Sequence, residues 1–374
     1  MYPVSFFAAK STDTSLPCKR LAFLGVKDTS NPFSVYGLYD YASQAQFMRM
    51  PIDLAAAISG SADIASHSVY SHNLEPSGGR VRFATDSPYI AIQAFLPNRT
   101  TWGGAMPISG KMGFDVYIDM DEGSAYYVTL GPPAELTDSG WGYEAAAEFP
   151  GSGIRNITIY FPVLNPVSDL YIGLANTSKV GKNAYSYVDR APIAYYGSSI
   201  TQGGSVSKPG NTYGAILSRR FNYDFINLGM WGSAKGETAF AQYIASRNMS
   251  AFVLDYDHNA TVSGLRATHE NFYGIIRSAH PDIPIIMMSR PDIAAGLEEV
   301  SIRRGIIRRT YDNARDAGDG NVYFIDGQTF FEGCPNKGDC LIDGVHPTDL
   351  GASLMAEKIE NVLEEILKST KKAY

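Results

Sequence analysis

The sequence predicts an all-β sandwich of jelly-roll type over residues 1–185, followed by an α/β domain with a parallel sheet over residues 186–374. Three observations lead to this prediction. Up to about residue 182, apolar and polar residues alternate in short runs that clusters of Gly, Pro, Asn and Asp separate. Beyond that point, short apolar runs alternate with longer segments at helical spacing, which is typical of a parallel sheet covered on both faces. The length of 374 residues also exceeds the size at which a single hydrophobic core usually stops growing.

The first half contains four segments with a clear period of two, at residues 80–83, 90–92, 114–118 and 156–161. Residues 53–66 interrupt the pattern and are compatible with a short helix or a loop. Trp102 and Trp141, each beside a glycine, are candidate platforms for a sugar ring. Because large aromatic side chains are mostly buried, packing in the core or at the domain interface is the favoured interpretation.

The second half predicts five strands, at residues 192–196, 224–228, 252–255, 283–288 and 322–325. Helices are predicted between them at residues 212–221, 234–247, 268–279 and 298–316. A final helix begins near Leu350, and its apolar residues share one face: Leu350, Leu354, Met355, Ile359, Val362, Leu363 and Ile366. In a sheet of this kind, functional groups gather at the carboxyl ends of the strands.

Composition narrows the range of partners. A net charge of −7 and a charged fraction of 18% argue against a nucleic-acid partner and favour a neutral or compact substrate. The sequence has no run of about 18 apolar residues and no basic start of a signal peptide, so no membrane association and a cytoplasmic location are expected. The three cysteines, Cys18, Cys334 and Cys340, form no disulfide framework, and pairing of the last two is left open.

Residues with the chemistry of acyl transfer occur in four separate blocks of the second half. They are Ser199 after the first strand, Gly229 or Gly232 after the second, Asn259 after the third, and Asp343 with His346 before the last helix. A serine hydroxyl is a weak nucleophile unless a base lies within hydrogen-bond reach, and imidazole titrates near neutral pH. A carboxylate beside the imidazole would orient it, while backbone and amide N–H groups would stabilise an oxyanion.

This order of blocks resembles the SGNH (GDSL-type) hydrolase family, over about residues 190 to 368. The resemblance implies a flavodoxin-like, three-layer domain with Ser199 as nucleophile and His346 as base, oriented by Asp343. It further implies an oxyanion hole of Ser199, Gly232 and Asn259, with spacing from Asn227 favouring Gly232 over Gly229. No cofactor and no metal are expected.

Two positions depart from the family pattern. Ser198 stands where the Gly-Asp-Ser motif has an acid, and Ala260 follows Asn259 where the family often has Asp. In the first half, the stretch from Gly113 to Tyr117 resembles the Gly-x-Asp-Leu-Tyr signature of the β-sandwich that precedes the hydrolase domain in some bacterial carbohydrate esterases.

The sequence therefore predicts a serine esterase that removes acetyl or other small acyl groups from a carbohydrate through an acyl-Ser199 intermediate. Trp231 and His258 are candidate substrate contacts, and self-association of the chain is left open. Two alternatives remain: a lipid or thioester acyl hydrolase with an apolar groove near Trp231, and a carbohydrate-binding protein that has lost activity. A metal site around Asp255, Asp257 and His258 is disfavoured, because a metallohydrolase would not need Ser, Gly and Asn in three further blocks.

Overall fold

A computed structural model describes residues 21–371, apart from residues 64, 66, 99–102, 122, 134–141 and 292–297, with side chains described as far as Ile366. Trp102, Trp141 and Cys18 lie outside the described residues. Among the helices that are described, each is too short or too polar to cross a bilayer.

The first half forms two antiparallel sheets. The smaller sheet has the order β1-β9-β4-β7, with β1 Leu21–Gly25, β4 Tyr89–Phe95, β7 Gly142–Glu148 and β9 Asp169–Ala175. The larger sheet has the order β10-β3-β8-β5-β6, with β3 Arg80–Thr85, β5 Phe114–Met120, β6 Gly123–Leu130, β8 Arg155–Tyr160 and β10 Val180–Gly181. A short strand, β2 Ser34–Tyr36, pairs with β3. The four segments with a period of two are confirmed as strands.

One hydrophobic core fills the space between these sheets. Ile92 and Ile172 of the smaller sheet pack with Phe83, Phe114 and Ile157 of the larger one, and all five side chains are fully buried. The opposite face of the larger sheet is buried as well, including the polar residues Arg80, Arg82, Asp115 and Asp119. That face lies against the second half of the chain, where Tyr117 and Tyr160 join its core.

Three short helices belong to the first half: α1 Ile52–Ser59, α2 Val69–Asn73 and α3 Ile108–Met112. The first half of the interruption predicted at residues 53–66 is therefore a helix. Met50, Ala55 and Val69 do not join the β core; they pack with Leu228 and Phe240 of the second half. The first half thus contributes side chains to both cores of the α/β domain.

The second half forms a five-stranded parallel sheet of order β12-β11-β13-β14-β15. The strands are β11 Ile193–Gly197, β12 Phe225–Gly229, β13 Ala251–Asp255, β14 Ile285–Met288 and β15 Val322–Ile325. Counted along this half, the order is 2-1-3-4-5, the order of flavodoxin-like sheets, in which ligands bind where the first and third strands separate.

Helices cover both faces of this sheet. They are α4 Ser199–Gln202, α5 Tyr213–Phe221, α6 Thr238–Ala245, α7 Val262–Ala279, α8 Glu298–Asp316 and α9 Asp349–Lys371. Leu217 of α5 and Ile359 of α9 pack on one face. Phe240 of α6, Phe272 of α7 and Ile307 of α8 pack on the other. The α/β fold with a preceding β-rich domain is therefore confirmed.

Candidate active site

Ser199 lies directly after the carboxyl end of β11, as the first residue of α4. The chain can turn this sharply because Gly197 has no side chain: a Cβ there would lie 2.0 Å from Thr201 Oγ1 and 2.3 Å from the Asp255 carbonyl oxygen. Ser199 is only 5% exposed, so its side chain is largely shielded from solvent.

Ser198 caps the helix that Ser199 begins. Its Oγ accepts a hydrogen bond from the Ile200 N–H at 3.1 Å, and its own N–H donates to the Asp255 carbonyl oxygen at 3.0 Å. Serine and aspartate are about equally good at the N-cap position. The capping geometry therefore accounts for the serine found where the Gly-Asp-Ser motif has an acid.

His346 and Asp343 reach Ser199 from the loop that precedes α9. Ser199 Oγ and His346 Nε2 are 2.8 Å apart, and His346 Nδ1 lies 2.7 Å from Asp343 Oδ2. The second oxygen of Asp343 accepts hydrogen bonds from the backbone N–H groups of His346 and Val345. Partial burial acts to raise the pKa of Asp343, but hydrogen bonds from His346 and Val345 outweigh it and hold the pKa below its usual range.

Trp231 packs on the imidazole of His346. Their ring centroids are 4.5 Å apart with an interplanar angle of 20°. Gly204 lies beneath both rings, since a Cβ there would come within 2.6 Å of the indole and 3.1 Å of His346 Cδ2. The Trp231 indole, predicted to contact substrate, therefore also packs against His346 and restricts the orientation of its ring.

Gly232 occupies a tight turn that follows β12. The Ser233 N–H closes this turn on the Met230 carbonyl oxygen at 3.0 Å, and Gly232 has a φ of +64°, which favours glycine. Within the described part of the chain, the backbone N–H groups of Gly232 and Ser199 donate no hydrogen bond. Both N–H groups are therefore available to an oxyanion.

Gly229, the rival of Gly232, has a different position. Its N–H donates to Asn227 Oδ1 at 2.9 Å, so it is already used. A Cβ on Gly229 would lie 2.2 Å from the Gln202 backbone nitrogen, which shows that this glycine lets β12 approach α4 closely. The geometry favours Gly232 as the donor.

Asn259 lies in the turn after β13 and points towards the Gly232 turn. Its Nδ2 donates to the Met230 carbonyl oxygen at 2.8 Å, which fixes the amide and leaves a second N–H for a ligand. The buried Arg303 of α8 holds this turn from behind, since its Nη1 donates to the carbonyl oxygens of Asp257 and Ala260 at 2.5 and 2.7 Å.

His258 lies beside Asn259 and is an uncharged imidazole. Burial, with a smaller contribution from the positive charge of Arg290, lowers its pKa to about 3. Its Nε2 is buried without a hydrogen-bond partner among the described residues. The structure therefore offers one free polar atom here, and contact with substrate stays a prediction.

Asp255, one of the three residues of the disfavoured metal site, is engaged in hydrogen bonds within the protein. Asp255 is buried, and its Oδ2 accepts hydrogen bonds from Thr201 Oγ1 at 2.9 Å and Tyr213 Oη at 3.1 Å. Burial raises its pKa to about 8. Over the described ranges, no three side chains of the metal-binding types come close enough to hold an ion.

Cys334 and Cys340, which precede the loop of Asp343 and His346, are free thiols. Cys334 Sγ and Cys340 Sγ are 3.3 Å apart, and the Cys340 thiol donates a hydrogen bond to Cys334. The pairing that the sequence left open is therefore a contact between thiols in this structure.

Four residues at the site carried no signal in the sequence: Gly204, Arg303, Gln202 and Glu75. Gln202 lies three residues after Ser199, yet nothing in a single sequence shows that its amide is fully buried. Glu75 lies more than a hundred positions upstream, so only the fold brings it to the site.

A flavodoxin-like sheet with a serine, a histidine and an aspartate hydrogen-bonded in series at its carboxyl edge is the arrangement typical of hydrolases of the serine type. The sequence comparisons agree. Residues 190–364 match the model of the GDSL-like Lipase/Acylhydrolase family, and residues 24–180 match that of the GxDLY family, the N-terminus of SGNH-hydrolase-type esterases. The resemblance inferred from the sequence is thereby confirmed. No curated protein sequence matches the chain.

Solved structures extend the likeness across both halves of the chain. A putative GDSL-like lipase from Bacteroides ovatus shares 25% identity, with a TM-score of 0.81 over 93% of this chain and 98% of that one. The salicylyl-acyltransferase SsfX3 of a tetracycline biosynthetic pathway shares 20% identity, with a TM-score of 0.71 over 92% and 97%. An acetyl xylan esterase from the rumen bacterium Butyrivibrio proteoclasticus shares 13% identity, with a TM-score of 0.56 over 93% and 100%. The last two show likeness of fold alone.

Proposed function

We propose that this protein is a serine esterase that removes acetyl or other small acyl groups from a carbohydrate. The observation that carries the proposal is the continuous hydrogen-bond chain from Ser199 Oγ through the imidazole of His346 to Asp343. These hydrogen bonds join a nucleophile, a base and an orienting carboxylate, the three groups that acyl transfer through a serine requires. All three lie at the carboxyl edge of the sheet.

In the proposed reaction, Ser199 Oγ attacks the ester carbonyl carbon while its proton passes to His346 Nε2. The tetrahedral oxyanion accepts hydrogen bonds from the N–H groups of Ser199 and Gly232 and from Asn259 Nδ2, and each well-aimed donor lowers the barrier by about 3 to 4 kcal/mol. The C–O bond to the sugar then breaks, and the imidazolium returns its proton to the leaving alcohol. Water resolves the acyl-Ser199 ester in the same way, with His346 again acting as base.

The carbohydrate part of the proposal has two supports. The fold over both domains resembles that of the acetyl xylan esterase, whose name states an acetylated polysaccharide as substrate. The first domain also reaches the site: a Cβ on Gly103 would lie 4.0 Å from the Trp231 indole. A loop of the β domain therefore lies beside Trp231, where we place the alcohol portion of the ester.

We further propose that the first domain is a jelly roll and that the domains divide at residues 185 and 186. When β2 and β10 are left out, eight strands remain, which can be renumbered 1 to 8 along the chain. In these numbers the order is 1-8-3-6 in the smaller sheet and 2-7-4-5 in the larger one. Successive strands cross between the sheets at every step except from β5 to β6. Two interlocked Greek keys of eight strands have this property, which supports the assignment.

The test compares wild type with Ser199→Ala on 4-nitrophenyl acetate, 4-nitrophenyl octanoate and acetylated oligosaccharides. We expect wild type to favour acetyl over octanoyl esters and to release acetate from at least one sugar, and Ser199→Ala to lose on the order of 10⁵-fold in kcat. Ser278→Ala, an exposed serine on α7, is the matched control and should retain full activity. Full turnover by Ser199→Ala would overturn the nucleophile, and release of acetate from no sugar would overturn the substrate class.

An acyltransferase is the second candidate, because the fold likeness to the salicylyl-acyltransferase is closer than that to the acetyl xylan esterase. Both reactions share the acyl-Ser199 intermediate and differ in whether water or an alcohol resolves it. Adding a sugar alcohol to the 4-nitrophenyl acetate assay separates them. Formation of acetylated sugar faster than release of acetate would favour the transferase.

A further inference from the structure

A chain of buried polar side chains links the first half of the protein to the candidate active site. Glu75 follows α2, and its Oε2 lies 3.0 Å from His72 Nδ1 and accepts a hydrogen bond from Gln202 Nε2 at 2.6 Å. Gln202 Oε1 in turn accepts a hydrogen bond from the Trp231 backbone N–H at 2.8 Å. Glu75 and Gln202 are 1% and 0% exposed, so water does not compete for these bonds.

The donors and acceptors in this series of hydrogen bonds have a fixed order. A carboxylate offers only acceptors, so the Gln202 NH₂ group must face Glu75, where it also donates to the Val163 carbonyl oxygen at 3.1 Å. The amide oxygen is then forced towards Trp231. With the amide reversed, a carbonyl oxygen would face the carboxylate and an NH₂ group would face the Trp231 N–H. Glu75 therefore selects one orientation of the Gln202 side chain.

Gln202 is linked to all three parts of the catalytic arrangement. Gln202 is the last residue of α4, the helix that Ser199 begins. The Trp231 N–H that it binds belongs to the turn that carries Gly232. The ring of the same tryptophan packs on His346. A shift of the Gln202 side chain would therefore move the oxyanion turn and the support of the base relative to the nucleophile.

We propose that Glu75 and Gln202 are positioning residues of the esterase: through their directed hydrogen bonds, the first half of the chain sets the Trp231–Gly232 turn against Ser199. The inference rests on the proposed function. Misplacement of about 1 Å in such a site can cost about 100-fold in rate.

The test exchanges the two side chains. Gln202→Glu places two carboxylates together in a buried site, and we expect about a 100-fold loss in kcat with KM changed less than about threefold. The double variant Glu75→Gln/Gln202→Glu restores the order of donors and acceptors: the new amide donates to the new carboxylate, which accepts the Trp231 N–H. The bond to Val163 is lost, and His72 Nδ1 must take the tautomer that accepts from the new amide. The bonds to Trp231 and between the two exchanged side chains are kept, so we expect the double variant to recover about tenfold or more over Gln202→Glu alone.

The matched control is the same pair of residue types at the surface of the first domain. Gln93 Nε2 donates to Glu144 Oε1 at 2.9 Å in an exposed cross-strand pair between β4 and β7. Gln93→Glu and the exchange Gln93→Glu/Glu144→Gln should both keep wild-type kcat. A loss in these controls equal to that at Gln202 would overturn the inference, because distance from the site would then not matter.

A direct readout of the hydrogen bond keeps the test independent of activity. The protein has three tryptophans, so selective ¹⁵N-tryptophan labelling gives three backbone amide signals. The signal that disappears in Trp231→Phe belongs to Trp231. We expect the Trp231 amide signal to move in Gln202→Glu and to return towards its wild-type position in the double variant.

A double variant no more active than Gln202→Glu, or an unmoved Trp231 signal in both, would overturn the positioning role while leaving the esterase intact. No ester turnover by wild type would overturn the proposed function instead, and the positioning role with it.

Discussion

Asp343 performs two tasks with its two carboxylate oxygens. One oxygen lies on the His346 imidazole, and the other accepts the backbone N–H groups of Val345 and His346 and so shapes the loop. The proposed orienting acid therefore also holds the backbone that carries the proposed base. An amide at this position can keep the loop but can present an NH₂ group to the imidazole.

Asp343→Asn is therefore expected to lower kcat about 1,000-fold or more while the protein stays folded, because the wrong tautomer of His346 would face Ser199. Steady-state hydrolysis of 4-nitrophenyl acetate measures the loss, and thermal unfolding checks the fold. Asp312→Asn, which changes an exposed carboxylate paired with Arg308 on α8, serves as control. Activity within a few-fold of wild type in Asp343→Asn would contradict the assignment.

The buried carboxyl group of Asp255 is expected to make the stability of the folded protein depend on pH. Burial raises the pKa of Asp255 in the folded protein to about 8, from its ordinary value of 3.8. The folded state therefore holds a proton that the unfolded state releases, so this contribution to stability is complete below about pH 4 and is lost as pH rises towards about 8.

Asp255→Asn should remove that part of the pH dependence, because the amide cannot ionise and can still accept from Thr201 and Tyr213. Unfolding midpoints in urea at several pH values between 4 and 8 measure it. Wild type should lose stability over this window more steeply than the variant. Equal slopes in the two proteins would show that Asp255 does not carry the buried proton.

At the scale of elements, local patterns predicted most of the α/β domain. Strand β15 and helix α8 have the predicted bounds, and the other four strands agree within two residues, because buried parallel strands are short continuous apolar runs. Helix α6 begins later than predicted, since Gly236 has a φ of +86°, and α7 begins earlier, where Thr261 caps it.

The β5 signature stretch, Gly113 to Tyr117, joins the two domains. Asp115 Oδ2 accepts the Gly210 N–H at 2.7 Å, in the segment between α4 and α5, and the Tyr117 ring lies directly on Gly210. A Cβ on Gly210 would come within 2.4 Å of Tyr117 Oη. The resemblance carried by this stretch thus has a physical counterpart in the contact between domains.

Gly210→Ala is accordingly expected to destabilise the protein by about 1 to 3 kcal/mol, because the buried Tyr117 has no room to move. Thermal or urea unfolding measures this. Gly274→Ala on α7 is the matched control: nothing lies within 4 Å of its new methyl group, and alanine favours a helix, so this variant should be as stable as wild type or more so. Equal stability of the two variants would show that the contact is loose.

At the scale of the whole molecule, the two halves share their cores. Met50, Ala55 and Val69 complete one face of the α/β domain, and Tyr117 and Tyr160 complete the other. Periodicity could not predict this, because it shows that a side chain is buried but not which partner buries it. The arginines of β3 illustrate the limit: the alternation placed them opposite the β core, and the second domain buries them there.

The isolated segment 186–374 should therefore fail to give the cooperative unfolding transition of the full chain, since both faces of its sheet would expose apolar side chains. Circular dichroism on heating, compared with the full-length protein, measures this. A sharp transition close to that of the full chain would contradict the shared cores.

The proposed catalytic residues and the residues that support them differ in how far the sequence could predict them. Ser199, Asp343 and His346 stand in short blocks whose order along the chain carries the resemblance. Glu75 and Arg303 act through hydrogen bonds between distant parts of the chain, and no local pattern marks such contacts.

The proposed mechanism requires an acyl group on Ser199, and direct detection of that group is the decisive measurement. Wild type mixed with 4-nitrophenyl acetate, quenched rapidly in acid and digested, should yield one peptide that carries a single acetyl group on Ser199. The same peptide from Ser199→Ala should carry none. An acetyl group on another residue, or rapid turnover with Ser199 replaced, would contradict the mechanism.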